Sequence, residues 1–185
     1  MKRRNLIVTL TLSALFCTLI CIGSFIRIPM PNMMPMSLQT FFVLLTGLVL
    51  PIKASALATV TYMTLGLIGL PIFSGGGGLG YVLTPNFGFI IGFVVATTII
   101  SVITQKLKYS KLWQYIVISL IGIVVIYIIG IFYFAFITNV YNNNDYSLVW
   151  FIQTIFLPFL PKEIICIILA SLSAYKIRPY ITKIK

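Results

Sequence analysis

Glu163 is one of only two acidic residues in the chain, and it lies within a long apolar segment beside Lys162. Pro161 precedes it by two positions and suits the first turn of a helix, where the N–H that proline lacks would be unpaired anyway. The dipole of such a helix favours a negative charge in its first turn. An ionisable pair among apolar residues predicts either a polar anchor for a ligand or an interfacial pair that reaches water.

Other polar groups lie at the predicted ends of apolar segments. Gln39 begins one segment and Asn86 begins another, so each is expected either to bond nearby backbone or to hydrogen-bond a ligand amide. Cys166 shares the Glu163 helix face at i+3 and either lines the same cavity or simply packs. Tyr81 supplies an apolar wall or an interfacial anchor. An apolar cavity with a few such groups suits a small, semi-polar molecule.

A glycine-rich stretch, residues 74–80, contains Gly76 and superficially resembles a phosphate-binding loop. It lacks the Gly-Lys-Ser/Thr ending that a nucleotide-binding loop requires. Its glycines therefore indicate a tight or mobile connection, either a lid over the cavity or a flexible connector. Any nucleotide hydrolysis has to come from a partner.

The residue types argue against catalysis and metal binding. The chain has no histidine, and its other acid, Asp145, lies in an asparagine-rich loop. An intramembrane enzyme therefore lacks its usual general base, and we expect neither an enzyme nor a cofactor. Cys17 and Cys21 are spaced i, i+4 without acidic neighbours, so buried packing is favoured over a metal site.

Composition sets the class of protein. Apolar residues make up 60% of the chain and charged residues only 8%, and the mean hydropathy is +1.11. Soluble domains carry about a quarter charged residues. We therefore predict an all-α, multi-pass protein of the cell membrane, surrounded by the lipid bilayer. The net charge of +11 forms no basic stripe and does not indicate nucleic acid.

Six transmembrane helices in a single domain, residues 1–185, account for the apolar segments. The predicted spans are approximately residues 6–26, 38–50, 54–70, 87–105, 112–140 and 148–177. With both termini cytoplasmic, only Arg27 and Lys162 of the 13 basic residues fall on the outer side. The excess of positive charge inside favours this topology. The glycine loop and Glu163 then lie near the outer face.

Small residues in the first span predict a helix-packing face. Ser13 and Cys17 form one small-x-x-x-small pair, and Ala14 and Thr18 form another. Such pairs let a second helix approach closely. The partner is either another helix of this chain or a separate membrane subunit.

Several stretches together resemble the BioY family, the substrate-binding S components of biotin transporters of the energy-coupling factor (ECF) type. They are residues 28–31 (Ile-Pro-Met-Pro), 37–42 (Ser-Leu-Gln-Thr-Phe-Phe), 62–76, 80–93 and 158–161 (Pro-Phe-Leu-Pro). Their order matches the family, and they extend from the first span to the sixth. The resemblance implies an ECF S-component-like bundle with an outward-facing biotin pocket. It also implies docking to a transmembrane coupling subunit and two cytoplasmic ATPases.

The chain departs from the family pattern next to the acid. The family usually continues Pro-Phe-Leu-Pro with Gly-Asp-x-x-Lys, whereas Lys162, Glu163 and Cys166 stand here at the glycine, aspartate and lysine positions. The resemblance gives the acid and the lysine a role in holding the ligand's polar part. Glu163, Asn86 and Gln39 would then meet the ureido ring of biotin, and Lys162 or Arg27 its carboxylate.

Two alternatives to a biotin transporter subunit follow from these residues. The altered acid and lysine positions fit an S component for another vitamin or for a biotin relative such as dethiobiotin or lipoate. A small autonomous transporter or channel is the other alternative, and it predicts uptake by this chain alone.

Overall fold

The computed structural model describes residues 2–29, 35–107 and 111–183. Within them the chain is almost wholly helical, as its long apolar runs predict. The α-helices are α1 (Lys2–Phe25), α2 (Gln39–Val49), α3 (Ile52–Leu67), α4 (Phe87–Gln105), α5 (Leu112–Ala135), α6 (Leu148–Phe151) and α7 (Leu160–Lys183). The predicted all-α class is confirmed.

The last two helices form one pass. A π-helical segment, Ile152–Phe156, and a 3-10 turn, Leu157–Phe159, connect α6 to α7 without a loop. Pro158 lies in this turn, where its missing N–H removes an α-helical hydrogen bond. The backbone around Pro158 therefore changes helix type without forming a loop, and the described chain makes six helical passes.

Four helical segments of the described chain are long and apolar enough to cross a membrane: Asn5–Phe25, Phe87–Gln105, Leu112–Tyr141 and Leu148–Ile181. The segment Gln39–Val49 is apolar but spans only about 16 Å at 1.5 Å per residue. Nine of its 11 residues are buried, so protein rather than lipid surrounds most of it. These segments confirm the predicted multi-pass membrane protein.

The loops alternate between the two ends of the bundle. Arg178 near the end of α7 donates to the Thr104 carbonyl at the end of α4 and to the Tyr115 hydroxyl at the start of α5. The chain termini, the turn before α3 and the α4–α5 connection therefore share one end, called here the terminal end. The α1–α2, α3–α4 and α5–α6 connections lie at the other, called the loop end.

A short hairpin opens the loop end. Strands β1 (Arg27–Ile28) and β2 (Met36–Ser37) pair antiparallel, with Arg27 opposite Ser37. Residues 30–34, between the two strands, lie outside the described chain. The hairpin sets Ser37 directly before α2, which begins at Gln39.

Small polar residues hold the helices together, as expected where lipid offers no hydrophobic drive between them. Ser101 on α4 donates to the Leu50 carbonyl at 2.7 Å, and the Ser119 and Ser171 hydroxyls of α5 and α7 lie 3.2 Å apart. Gly122 on α5 leaves room for Ile100 of α4, whose side chain would lie 2.4 Å from an added Cβ. Such contacts fix the bundle that carries the site.

The two small-residue pairs of α1 face different ways. Ser13 and Cys17 are buried, and the Ser13 hydroxyl donates to the Ala54 carbonyl of α3 at 3.1 Å. Packing within this chain therefore accounts for the burial of that pair. Ala14 and Thr18 are exposed on the outside of the bundle, where docking to a partner stays a prediction.

Candidate functional site

Glu163 is the buried acid of the bundle, with only 3% of its surface exposed. Its Oε1 atom accepts from the Tyr127 hydroxyl at 3.0 Å and from the Thr40 hydroxyl at 3.4 Å, and it lies 2.8 Å from Lys162 Nζ. Its Oε2 atom is buried without a hydrogen-bond partner among the described residues. A carboxylate oxygen left this way carries a desolvation penalty that a ligand N–H would remove.

Lys162 is held in place by the start of α2. Its Nζ donates to the Ser37 carbonyl at 3.3 Å and to the Thr40 hydroxyl at 3.2 Å, besides its ion pair with Glu163. The same ammonium lies 5.8 Å from the centre of the Phe159 ring. Its side chain is about one-fifth exposed, which gives the ion pair a partial route to water. The pair of residues expected from the sequence therefore forms one charged cluster.

A narrow cavity of about 10 Å³ adjoins Glu163 and Lys162. A cavity of that size holds about one water molecule. Its apolar wall comes from α4, α5 and the segment before α7, and consists of Phe89, Phe93, Ile126, Ile155 and Phe159. The arrangement is a charged pair at the edge of a tightly packed aromatic pocket.

Gln39 is buried but lies one step away from this pair. Its Oε1 accepts from the Ser37 hydroxyl at 3.3 Å, and its Nε2 donates to the Tyr62 hydroxyl. Tyr62 in turn donates to the Ile72 carbonyl at 3.0 Å. The Gln39 amide, which the sequence suggested as a contact for a ligand, is thus hydrogen-bonded to neighbouring side chains. It connects the start of α2 to α3.

The α3–α4 loop is anchored by an aromatic cluster. The Phe73 ring fills the space beside Gly66, where an added Cβ would lie 2.1 Å from it, and packs against Tyr81 at 4.8 Å between ring centres. Gly76 pairs with Phe73 through two backbone hydrogen bonds and has a φ of +129°, a conformation that favours glycine. The glycine-rich stretch is therefore a turn at the loop end that these contacts hold in place.

Tyr81 and Asn86 belong to this loop cluster. Burial raises the pKa of Tyr81, and bonds to Ser74, the Gly75 backbone and Asn86 oppose that shift. Asn86 is half-buried at the start of α4 and makes no side-chain cap bond there. No described contact joins Asn86, Tyr81 or Gly76 to Glu163, so the structure divides the predicted site residues into two groups.

Cys166 lies on the Glu163 face of α7, as the spacing predicts. Its side chain is fully buried, and its thiol lies beside the backbone of Phe41 on α2. It is not among the residues that line the cavity. Packing between α7 and α2 accounts for it.

Thr40, Tyr127 and Tyr62 are polar partners of the cluster that the sequence did not single out. Thr40 and Tyr62 stand inside stretches that carry the family resemblance, and Thr40 follows Gln39, so both had a detectable signal. Tyr127 is one of 24 Phe and Tyr residues in the chain, and nothing in the sequence marks it as a partner of Glu163.

A second cavity, of about 360 Å³, lies at the terminal end. It is lined by Arg178 of α7, Asn5 and Thr9 of α1, and Thr104 and Gln105 of α4, together with apolar residues. It lies at the opposite end of the bundle from Glu163.

Known proteins resemble this chain over nearly its whole length. A family model described as the BioY family matches residues 1–183. The "Probable biotin transporter BioY" of Lysinibacillus sphaericus is 34% identical over 92% of this chain and 86% of its own. The "Biotin transporter BioY" of Thermotoga maritima is 32% identical over 90% and 93% of the two chains.

The fold is also that of a solved structure, described as the S-component for biotin from an ECF-type ABC transporter. That structure superposes with a TM-score of 0.85 at 26% identity and covers 97% of this chain and 95% of its own. The six-pass bundle described above is therefore the S-component fold. The chain belongs to the BioY family, a family of transporter S components and not of enzymes.

Proposed function

We propose that this chain is the substrate-binding subunit of a biotin uptake transporter and that the Glu163 cavity captures biotin. The observation that carries the proposal is the buried, unpartnered Oε2 of Glu163 at the edge of an aromatic pocket. Membership of the BioY family and the names of the relatives supply the identity of the ligand.

The chemistry of biotin suits this cluster. Its ureido ring offers N–H donors and a carbonyl acceptor, and Glu163 Oε2 is an acceptor without a donor. Lys162 lies on the other carboxylate oxygen and has an ammonium group to offer the carbonyl. The apolar ring system of biotin then packs against the aromatic wall. Hydrogen bonds to charged groups contribute about 1.5–3 kcal/mol each.

Biotin is too large for a cavity of about 10 Å³, so binding requires the wall to move. Ile155 and Phe159 belong to the π-helical and 3-10 segments that precede α7. Irregular helical hydrogen bonding of this kind is common at functional sites and hinges. We expect this segment to shift outward when biotin enters.

The carboxylate of biotin has a cation within the hairpin. Arg27 is exposed and lies opposite Ser37, whose carbonyl binds Lys162. Arg27 therefore stands at the loop-end entrance to the site. It is the proposed partner of the carboxylate, while Lys162 serves the ureido ring.

Transport requires partners outside this chain. We propose that a transmembrane coupling subunit and two cytoplasmic ATPases deliver the energy, because the sequence lacks a nucleotide-binding motif of its own. Ala14 and Thr18 are the exposed small residues of α1 at which a partner helix can approach closely. The terminal end is cytoplasmic in this proposal, since its loops carry most of the basic residues.

The test is a calorimetric titration of the purified chain with biotin, with dethiobiotin and lipoate as comparators. We expect one-to-one binding of biotin with nanomolar affinity. Dethiobiotin keeps the ureido group and tests the ring fit, whereas lipoate lacks it and should not bind. Binding of lipoate in place of biotin, or of neither with the protein folded, would contradict the proposal.

A further inference from the structure

We infer that Tyr62 is a positioning residue of the binding site, acting through Gln39 and Ser37 on Lys162. The inference rests on the proposed function and deepens it. Tyr62 lies on α3, whereas the proposed ligand contacts lie on α4, α5, α7, the segment before α7 and the hairpin. It is 1% exposed and lies outside the set of residues that line the Glu163 cavity.

The connection is a series of hydrogen bonds that passes through the side chain and then the backbone carbonyl of Ser37. The Tyr62 hydroxyl accepts from Gln39 Nε2, and the other end of that amide accepts from the Ser37 hydroxyl at 3.3 Å. The Ser37 carbonyl accepts from Lys162 Nζ at 3.3 Å, and Nζ lies 2.8 Å from Glu163. Three side chains and one backbone group thus separate the Tyr62 hydroxyl from the carboxylate.

The same hydroxyl is fixed from the other side by the α3–α4 loop. It donates to the Ile72 carbonyl at 3.0 Å, and the Ser24 hydroxyl of α1 donates to that carbonyl at 2.6 Å. The next residue, Phe73, packs its ring against the Tyr62 ring, 5.5 Å between centres. The hydroxyl is therefore held by the loop and in turn holds Gln39.

The hydroxyl decides how the Gln39 amide is oriented. With Tyr62 as the acceptor, the Nε2 end points to α3 and the Oε1 end is left for Ser37. Without the hydroxyl, a buried amide loses its acceptor and either stays unpaired or turns, and turning breaks the bond from Ser37. Buried polar networks of this kind respond as a unit, so the loss reaches Lys162.

A double-mutant cycle on biotin affinity tests this coupling. Tyr62→Phe keeps the ring packing and removes only the hydroxyl, and Lys162→Met removes the far end of the series. We expect Tyr62→Phe to raise the Kd for biotin about tenfold. In the Lys162→Met background the same change should raise it less than twofold, because residues of one network are not additive.

Equal factors in the two backgrounds would overturn the inference and leave Tyr62 a purely structural residue. Gln39→Met, which removes the middle of the series, is the second variant. It should abolish the effect of Tyr62→Phe in the same way, even if Lys162→Met binds too weakly to measure. Tyr180→Phe, at a tyrosine that is 71% exposed on α7, is the matched control and should leave the Kd unchanged.

The two proposals fail differently. A folded parent chain that does not bind biotin contradicts the proposed function and the inference with it. If the parent binds biotin and the double variant raises the Kd by the product of the two single-variant factors, the inference alone is contradicted.

Discussion

Arg178 at the terminal end and Lys162 at the loop end are both partly buried cations, yet their surroundings differ. At the terminal end, Arg178 bonds the Thr104 carbonyl and the Tyr115 hydroxyl beside a cavity of about 360 Å³. At the loop end, Lys162 bonds Ser37, Thr40 and Glu163 beside a cavity of about 10 Å³. Of these two cavities, the one at the terminal end has the larger volume.

Unsatisfied hydrogen-bonding groups favour the loop end as the binding site. Among the described residues, the buried side-chain atoms without a hydrogen-bond partner are Thr138 Oγ1 and Glu163 Oε2, and neither residue lines the terminal cavity. A ligand gains most where it gives a hydrogen-bond partner to a buried polar atom that the protein leaves without one. The small, charged cavity is therefore the better candidate for a tight and specific site.

The largest effect is expected at Glu163. Glu163→Gln keeps the shape but removes the charge that holds Lys162 and accepts from the ligand N–H, and hydrogen bonds to charged groups contribute about 1.5–3 kcal/mol each. Calorimetry should show biotin affinity reduced at least about 100-fold. Asp145→Asn makes the same chemical change at the exposed acid of the α5–α6 loop and should bind like the parent. Parent-like binding by Glu163→Gln would place the ligand elsewhere.

A smaller loss is expected at Lys162, and a contrast with Arg178 sharpens the comparison of the two ends. Lys162→Met removes one charge-assisted hydrogen bond to the ligand and should weaken biotin binding by about 10- to 100-fold. Arg178→Met should lower the melting temperature, because it removes the hydrogen bonds that join α7 to α4 and α5. It should change biotin affinity less than twofold. A loss of biotin affinity in Arg178→Met but not in Lys162→Met would place the binding site at the terminal end.

The smallest effect is expected at Tyr127, whose hydroxyl bonds Glu163 Oε1 and not the ligand. Tyr127→Phe keeps the ring in the cavity wall and removes that bond, so we expect about a three- to tenfold loss of biotin affinity. Tyr133→Phe is the matched control, since the Tyr133 hydroxyl bonds the Val82 carbonyl instead. Equal losses in both variants would show a general packing effect.

The sequence predicted the helices and the central acid for clear physical reasons. Apolar runs of spanning length have few alternatives to transmembrane helices, and a lone acid inside one of them is costly unless it functions. This reasoning identified Glu163 and its neighbour Lys162 as candidates. A second pass was also predicted, at residues 38–50, although its burial within protein was not.

The orientation of individual side chains was beyond the sequence. Ser13 and Ala14 are adjacent small residues of α1, yet one is buried against α3 and the other is exposed. In a lipid-facing bundle, inner and outer residues are both apolar, so the pattern that separates the faces of a soluble helix is weak. For the same reason the partnership of Tyr127 with Glu163, 36 residues away, carried no signal.

The most direct test of the central claim is a structure of this chain with biotin bound. We expect a ureido nitrogen about 2.8–3.0 Å from Glu163 Oε2, with Ile155 and Phe159 displaced outward. Biotin seated beside Arg178 in the terminal cavity, with Glu163 Oε2 still unpartnered, would contradict it.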